Sequence, residues 1–339
     1  MPPLSAQTSS KAWSGRPVLV TGAGGFIGSH LAESLARAGA NVRAFVRYNS
    51  RGDHGWLEVA EPEVAQEIEV FRGDLTNPEA VAGAMAGREV IFHLGALIPI
   101  PYSYRHPREF VAANVEGTLN VVEAARRHEP TRIVHTSTSE VYGTAQSVPI
   151  DEQHALHPQS PYAASKVGAD QLALSFQRSF GTPVVVVRPF NTFGPRQSAR
   201  AVIPTIITQA LSRDVVELGA TDPTRDFLFV EDTVRGMIRS AEAEGVEGEA
   251  INLGTGVEIS IGELAERVLR QLDKDVPVAL DQDRLRPADS EVERLIADTT
   301  KAKGLLAWEP EVDLDEGLRR TIEWLTGSLG AYKTSIYNV

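Results

Sequence analysis

The sequence predicts an α/β protein in which a doubly wound parallel sheet is followed by a smaller C-terminal α/β lobe. From Arg16 onward, short runs rich in Val and Ile alternate with helical patterns. The first helical pattern, FIGSHLAESLARAG, spaces Ile27, Leu31 and Leu35 four residues apart. Several of these runs are as rich in Val and Ile as a strand buried on both faces of a sheet should be. This alternation is typical of βαβ units, whose strands are parallel.

The expected strands follow one another along most of the chain. They are, in order, RPVLVTG, ANVRAFVR, EIEVFRGD, EVIFHLGA, TRIVHTST, TPVVVVRP and EAINLGTG. After Pro189 the alternation loosens into Pro- and Gly-bearing loops, with a helix expected around residues 314 to 326. We therefore predict a flexible leader (1–14), a first domain (15–189 plus about 231–256), a second lobe (190–230 plus about 257–326) and a C-terminal tail (327–339). The aromatic residues from Tyr332 onward are expected to pack on the body or on another subunit.

Composition narrows the classes of function. The 339 residues contain no cysteine, which excludes disulfides, thiolate metal ligands and a cysteine nucleophile, and we predict no metal site. No apolar run approaches the ~18 residues of a membrane span, and the first residues lack the apolar stretch of a secretory signal, so cytoplasmic residence is expected. A net charge of -12 argues against nucleic-acid binding, although clustered arginines could still hold a small anion.

A glycine cluster lies between the first strand and the first helix. Gly22, Gly25 and Gly28 are three apart in TGAGGFIGSH. Glycines here permit a tight turn and close approach of a pyrophosphate to the backbone, including the amides of Phe26 and Ile27, at a helix N-terminus that favours anions. The pattern predicts a dinucleotide site; the alternative is a tight strand-to-helix turn without a ligand.

The end of the second strand bears on the choice of dinucleotide. An acidic residue there would bind the adenosine ribose of NAD, but this chain has Arg47. A guanidinium grips a 2′-phosphate that a carboxylate would repel, so NADP is favoured. Alternatively Arg47 stacks on adenine and NAD still binds.

A second constellation predicts acid–base chemistry. Tyr162 and Lys166 in SPYAASKVGAD are four residues apart and share a helix face, and the preceding strand is expected to end at Thr138. A phenol with a pKa near ~10 becomes a base at neutral pH only where nearby positive charge depresses that pKa, which an ammonium and an oxidised nicotinamide could do. The alternative is an ordinary exposed helix pair.

Together, the Gly-x-x-Gly-x-x-Gly loop, the strand-end threonine and Tyr-x-x-x-Lys resemble the extended short-chain dehydrogenase/reductases, the NAD(P)-dependent epimerase/dehydratase family, from about Arg16 to Trp324. The resemblance implies a Rossmann-like fold, a tightly bound and recycled NADP or NAD, and a homodimer. It implies that Asp74, beside Leu75 in RGDL, contacts adenine, unless it is only a turn residue. Asn114 resembles an asparagine that positions the catalytic region.

The residues after Thr138 narrow the reaction. Thr138-Ser139-Glu140 followed by Val-Tyr-Gly resembles GDP-mannose 4,6-dehydratases, in which the glutamate is the base at sugar C5, and also UDP-glucuronate decarboxylases. Glucose-type dehydratases carry Asp where this chain has Ser139, so Glu140 would shuttle the proton itself. Alternatively, Glu140 only caps a turn. VRYNSR, TSTSEVYG and SPYAASKVGAD are most similar to bacterial 4,6-dehydratases acting on nucleotide-linked N-acetylglucosamine.

The substrate side is expected from three further positions. The resemblance implies that Asn191 in RPFNTFGPRQ, Arg225 in TRDFLFVEDTVRG and Arg286 in RLRPADSE contact the diphosphate of a nucleotide sugar. Guanidinium groups suit a diphosphate, although each arginine alone could be a surface ion-pair partner.

The leading hypothesis is a nucleotide-sugar 4,6-dehydratase: Tyr162 promotes C4 oxidation, Glu140 removes the C5 proton, water is lost and hydride returns to C6. A 4-epimerase or a UDP-glucuronate decarboxylase would use the same C4 ketone differently. A non-catalytic NADP-binding regulator is the alternative from another class. The expected partner is a nucleotide-diphosphate sugar, with neither nucleic acid nor membrane.

Overall fold

A computed structural model of the chain describes residues 10–332, with only the backbone of Ser10 and Lys11. The strands are β1 (Pro17–Thr21), β2 (Asn41–Arg47), β3 (Ile68–Gly73), β4 (Val90–His93), β5 (Arg132–Thr136), β6 (Val184–Pro189), β7 (Asn191–Phe193), β8 (Val216–Leu218), β9 (Thr224–Phe229), β10 (Ala250–Leu253), β11 (Glu258–Ser260), β12 (Val278–Leu280) and β13 (Arg294–Leu295). The α-helices are α1 (Ser10–Trp13), α2 (Phe26–Arg37), α3 (Pro62–Ala65), α4 (Pro78–Met85), α5 (Ile100–Arg105), α6 (Pro107–Phe110), α7 (Gly117–His128), α8 (Pro161–Phe180), α9 (Val202–Ser212), α10 (Val230–Glu242), α11 (Ile261–Gln271), α12 (Thr300–Leu306) and α13 (Leu314–Gly327). Short 3-10 helices lie at Gly55–Val59, Ser139–Tyr142, Gln282–Arg284, Ala288–Ser290 and Leu329–Ala331, and a π-helical stretch lies at Val111–Glu116.

The large sheet has seven strands in the order β10-β6-β5-β4-β1-β2-β3, and every neighbouring pair is parallel. The chain starts in the middle at β1, winds outward through β2 and β3, and then crosses to β4 on the other side. The order therefore reverses between β1 and β4, where ligands bind in open α/β sheets. The predicted Rossmann-like doubly wound fold is confirmed.

Alternating side chains of each strand pack on opposite faces of this sheet. Val18 and Val20 of β1 belong to a core with α2 and α10, whereas Leu19 packs with residues of α4, α7 and α8. Because helices cover both faces, inner strands such as β4 and β6 are buried along their whole length, whereas the edge strand β3 keeps exposed residues.

The smaller lobe is built around β9. That strand pairs in parallel with β7 and β13 and antiparallel with β11, while β8 and β12 form a separate parallel pair. Between β9 and β11 the chain returns to the large sheet as α10 and β10. The loops after β5 and β6 thus lie next to the loops that β9 and β13 carry.

The predicted flexible leader (1–14) extends too far toward the first strand. Residues Ser10–Trp13 are helical, and the side chain of Trp13 is fully buried with its indole N–H donating to Glu242 at 2.7 Å. Its ring lies 6.0 Å from that of Phe92. A single helical turn is too short to show periodicity, so the sequence pattern could not reveal this anchor. Residues 1–9 lie outside the described residues.

At the C-terminal end, Tyr332 packs on the body of its own chain. Its ring stacks on Trp56 at 6.1 Å and meets Trp324 edge-on at 6.0 Å, while its hydroxyl donates to the carbonyl of Gln197 at 3.0 Å. The amide of Trp56 in turn donates to the carbonyl of Gly24 at 2.9 Å. The rest of the predicted tail, from residue 333, lies outside the described residues.

Across residues 10–332, none of the helices combines the length and the apolar composition needed to cross a bilayer. Over the same range, His, Asp and Glu side chains form no cluster of three or more that could hold a metal ion.

Candidate active site

The glycine loop joins β1 to α2. Gly22 has a φ of +71°, and its carbonyl accepts from the amide of Gly25 at 3.0 Å. A Cβ on Gly28 would lie 2.2 Å from the carbonyl oxygen of Gly22, closer than real contacts allow. The loop therefore requires glycine at these positions, and α2 begins at Phe26 with Gly25 as its N-cap. The amides of Phe26 and Ile27 lie in that first helical turn, where unpaired N–H groups favour an anion.

The ends of β2 and β3 bring the two predicted adenosine-side residues together. Arg47 ends β2 and is highly exposed, and its Nε lies 3.6 Å from the Asp74 carboxylate. A hydrogen bond from the amide of Thr76 lowers the pKa of Asp74, and Arg47 adds to that effect. The carbonyl of Leu75 accepts from Asn120 at 2.8 Å, which anchors this turn to α7.

The side chain of Asn114 connects the loop after β4 to α8, the helix that carries Tyr162 and Lys166. Its side chain accepts from the amide of Leu97 at 2.8 Å and donates to the Leu97 carbonyl and to the hydroxyl of Ser165, both at 2.9 Å. It lies in the π-helical stretch before α7, almost completely buried. These contacts connect the loop after β4 to α8, so Asn114 has a structural position of the kind the sequence suggested.

The structure brings Thr138, Tyr162 and Lys166 together. The hydroxyl of Ser160 caps α8 by accepting from Ala163 at 3.1 Å, and the helix starts at Pro161, one residue before Tyr162. Tyr162 and Lys166 are both buried, one helical turn apart. The strand β5 ends at Thr136, two residues earlier than the sequence predicts, and Thr138 instead caps the 3-10 helix Ser139–Tyr142.

Burial and neighbouring charges shift the pKa values of both Lys166 and Tyr162. The Lys166 ammonium donates to the carbonyl of Thr136 at 2.7 Å, and burial lowers its pKa to about 8. Burial raises the pKa of Tyr162, and Glu140 and Asp170 raise it further, while a hydrogen bond from Thr138 opposes them. The protein alone therefore holds Tyr162 as a neutral phenol, and positive charge from a bound ligand is needed to make it a base.

Ser139 and Glu140 follow directly. The Ser139 side chain is almost fully buried, whereas Glu140 is half-buried and its amide donates to the Thr138 hydroxyl at 3.2 Å. The Glu140 charge is close enough to act on the pKa of both Tyr162 and Arg225. Glu140 thus lies between the catalytic helix and the smaller lobe.

Arg225 and Arg286 converge on one carboxylate that the sequence analysis missed. Arg225 lies on β9, nearly buried, and its guanidinium donates to Glu291 at 3.3 Å; Arg286 lies 3.5 Å from the same Glu291 oxygen. Burial lowers the pKa of Arg225, and the neighbouring charge of Arg286 lowers it further, while Glu140 and Glu291 raise it. Asn191, on the adjacent strand β7, donates to the carbonyl of Asp226 at 3.4 Å.

Gln159 is a second residue that the sequence analysis missed. Its side-chain amide donates to the carbonyls of Asp289 and Glu291 at 3.1 and 2.9 Å, and its oxygen accepts from the amide of Thr144 at 2.6 Å. It therefore joins the start of the catalytic helix to the segment that carries Arg286. No local pattern marks a glutamine for such a role, because all three partners are backbone groups of distant segments.

Similar proteins share this arrangement of elements. The family model for GDP-mannose 4,6 dehydratase matches residues 19–321. A dTDP-glucose 4,6-dehydratase of Actinoplanes sp. is 35% identical over 91% of this chain and 97% of its own, and a UDP-glucose 4-epimerase of Mycolicibacterium smegmatis is 34% identical over 90% and 97%.

Solved structures agree with this assignment. An epimerase from Methanothermobacter thermautotrophicus has a TM-score of 0.88 at 31% identity, covering 96% of this chain and 97% of its own. A dTDP-glucose 4,6-dehydratase from Streptomyces venezuelae, solved with NAD bound, has a TM-score of 0.83 at 29% identity, covering 93% and 98%. The chain belongs to the extended short-chain dehydrogenase/reductase family of nucleotide-sugar dehydratases and epimerases, which are enzymes that use a nicotinamide cofactor.

Proposed function

We propose that this chain is a nucleotide-sugar 4,6-dehydratase that prefers NADP to NAD. The observation that carries the proposal is the position of Glu140 in the 3-10 helix that Thr138 caps, with its amide 3.2 Å from the Thr138 hydroxyl and its carboxylate in Coulombic range of Tyr162 and Arg225. Tyr162 would take the proton of the hydroxyl on sugar C4, and Arg225 would hold the diphosphate. A carboxylate between these two residues would lie beside the sugar, where it can act as a base.

The residues around the glycine loop fit a dinucleotide. The loop leaves no room for a Cβ on Gly22 or Gly28, so the backbone amides after it can approach a pyrophosphate closely. Arg47 reaches into solvent beside Asp74 at the adenosine side, where it can pair with a 2′-phosphate. A nicotinamide held by these residues would supply the hydride acceptor for oxidation at sugar C4 and the hydride donor for reduction at C6.

Three side chains would carry out the oxidation. Thr138 positions the C4 hydroxyl, and Tyr162 takes its proton as the hydride leaves C4. Lys166, held by the Thr136 carbonyl, contributes a buried positive charge that stabilises the phenolate of Tyr162. The product of this step is a C4 ketone, which makes the proton at C5 acidic.

Glu140 would carry out the elimination. It removes the C5 proton and delivers it to the C6 hydroxyl, which leaves as water. Ser139 is almost fully buried, so its hydroxyl is poorly placed to share that work. Hydride then returns to C6, C5 regains a proton from solvent and Tyr162 releases its own, so the reaction is redox-neutral overall.

Arg225 and Arg286 would bind the diphosphate of the substrate, with Asn191 beside them. Glu291 holds the two guanidinium groups near each other, which offsets their mutual repulsion. Two arginines in one place let an acidic protein bind an anion locally.

Product analysis tests the proposal. The protein with NADP is incubated in deuterated water with UDP-, GDP- and dTDP-linked hexoses and N-acetylhexosamines, and the products are analysed by mass spectrometry. We expect one of them to give a product lighter by one water and carrying solvent deuterium at C5. If all of these nucleotide sugars fail to lose water, the proposal is wrong.

A variant separates oxidation from elimination. Glu140→Gln keeps the size of the side chain but removes the base, so reduced cofactor and the C4 ketone should accumulate without loss of water. Glu266→Gln, an exposed position on α11, is the matched control and should behave as the unchanged protein. Normal water loss by Glu140→Gln would contradict the role of Glu140.

The same products distinguish the alternatives. A 4-epimerase, like the 34% identical relative, gives a product of unchanged mass, and a decarboxylase releases carbon dioxide from a uronic acid. A non-catalytic regulator would bind NADP and change none of the sugars.

A further inference from the structure

A fully buried carboxylate lies directly behind the catalytic helix face. Asp170, one turn after Lys166 on α8, has no exposed surface. It accepts from the ring of His135 at 3.2 Å, from the hydroxyl of Ser137 at 2.8 Å, and from two nitrogens of Arg188 at 3.2 and 3.3 Å. A buried carboxylate is costly unless it is fully paired, and here it is. The mechanism proposed above does not use this group.

These contacts clamp the end of β5 to α8 over three consecutive residues. His135 and Ser137 bond to Asp170, and the carbonyl of Thr136 between them accepts from Lys166. Thr138 follows immediately. Asp170 binds both neighbours of Thr136. It therefore fixes the end of β5 against α8, and with it the position of Lys166 relative to Thr138.

Asp170 also acts on the charge of Lys166. Burial lowers the pKa of Lys166 to about 8, and the Coulombic attraction of Asp170 opposes this effect without a hydrogen bond between the two. The titratable groups whose charge interacts with that of Lys166 are Asp170 on its own helix, His135 on β5 and His93 on β4, while Arg188 on β6 faces Asp170.

The two histidines do not replace this counter-charge. Burial lowers the pKa of both His93 and His135, so both rings are neutral at neutral pH. Interactions with His135, Arg188 and Lys166 lower the pKa of Asp170 although burial alone would raise it, so Asp170 remains ionised. When burial lowers the pKa of an ammonium toward neutral pH, part of its charge is lost unless a nearby carboxylate stabilises the protonated form.

We propose that Asp170 is a positioning residue for the reaction: it locks β5 to α8 on either side of Thr136 and supplies the counter-charge that keeps Lys166 a cation. This inference rests on the role of Lys166 in the proposed function. Asp170 touches neither substrate nor cofactor; it acts through Lys166.

Titration of Lys166 itself tests the inference without any substrate. The chain has six lysines, so lysine labelled with carbon-13 at Cε gives a simple spectrum in which Lys166→Arg identifies the signal of interest. In the NADP-loaded protein, Asp170→Asn should lower the titration midpoint of Lys166 by about one pH unit or more. An unchanged midpoint in a folded Asp170→Asn protein would overturn the proposal.

Two controls separate charge from packing. Ser137→Ala removes one hydrogen bond to Asp170 but keeps its charge, so the Lys166 midpoint should stay in place. Arg188→Gln removes the cation beside Asp170, so the midpoint should not fall. If either variant lowers the midpoint as much as Asp170→Asn does, loosened packing rather than lost charge explains the effect and the proposal is wrong.

Asp170→Asn leaves Arg188 buried without its partner and could fail to fold. The double variant Asp170→Asn/Arg188→Gln removes both members of the buried pair and avoids this strain. Because Asp170 is the charge that acts on Lys166, the double variant should lower the midpoint too; a midpoint equal to that of the unchanged protein would overturn the proposal.

Activity gives the second readout. The alkaline limb of the rate of cofactor reduction by a reactive nucleotide sugar should move to lower pH by the same amount as the Lys166 midpoint. If Lys166 titrates as expected but none of the nucleotide sugars reacts, the proposed function fails while the link between Asp170 and Lys166 stands. If sugars react and the midpoint does not move, only the present inference fails.

Discussion

The surroundings of Lys166 and those of Arg286 are held together in different ways. Around Lys166, buried side chains of β5, β6 and α8 bond to one another, and Asp170 has no exposed surface. Around Arg286, the contacts come from short segments between 278 and 295, and the apolar side chains of Val278, Leu280 and Leu285 are exposed. The surroundings of Lys166 thus form a buried half of the site, and those of Arg286 form an open half.

Because of this difference, substitutions in the two halves should have different effects. A change in the buried half removes partners that nothing else can replace, so it should abolish the chemistry or the fold. A change in the open half removes contacts to a ligand, so it should weaken binding and leave the chemical step nearly intact. Five substitutions test the site, from the largest expected effect to the smallest.

Tyr162→Phe should have the largest effect. Loss of the phenolic hydroxyl removes the acid–base group, and the rate of C4 oxidation should fall by about 10²–10⁴-fold. The ring still fills its buried place beside Phe110, so folding and NADP binding should persist. Steady-state rates and the bound cofactor content are measured together. Activity close to that of the unchanged protein would refute the assignment of Tyr162.

Gly28→Ala should impair the cofactor loop. The new Cβ would lie 2.2 Å from the carbonyl of Gly22, so the loop must shift and NADP affinity should fall on the order of 100-fold, measured by fluorescence titration. Gly304→Ala is the matched control, since a Cβ there meets nothing within 4 Å. Equal NADP affinity in the two variants would argue against the close approach of a pyrophosphate to this loop.

Arg225→Lys and Arg286→Lys test the two arginines on the nucleotide-sugar side, of which Arg225 is buried and Arg286 lies in the open half. Each keeps the positive charge but loses the bidentate geometry, so KM for the nucleotide sugar should rise about tenfold with a smaller change in kcat. Affinity for NADP is the control and should not change. A fall in kcat at unchanged KM would place these arginines in the chemical step instead.

Arg47→Ser should have the smallest effect, confined to cofactor choice. If Arg47 pairs with a 2′-phosphate, the ratio of NADP to NAD affinity should drop by about tenfold. Arg51→Ser, another exposed arginine of the same loop, is the control and should leave the ratio unchanged. An unchanged ratio in Arg47→Ser would mean that Arg47 does not select the cofactor.

Much of the large sheet is readable in the sequence. Each of the seven Val- and Ile-rich runs is a strand of that sheet, and burial on both faces accounts for the apolar inner strands. The strands of the smaller lobe were not predicted: β9 has six residues, but β7, β8, β11 and β12 have three each and β13 has two. Such short edge strands carry no period that a pattern could detect.

The candidate site divides in the same way. Tyr162 and Lys166 share a helix and are four residues apart, so their proximity follows from spacing alone. Asp170 continues that face, but its bonds to His135 and Arg188 depend on how β5 and β6 lie against α8. Glu291 is tied to Arg225 across 66 positions of sequence, and no local pattern encodes that pairing.

The stacking of Tyr332 on Trp56 has a consequence for how the protein is made. Trp56 bonds to Gly24, so Tyr332 completes the packing around a loop that is synthesised long before it. On the ribosome, the large sheet can assemble once β10 has emerged, whereas this aromatic contact must wait for Tyr332. The packing around Gly24 is therefore completed only after the strands of the large sheet have been synthesised.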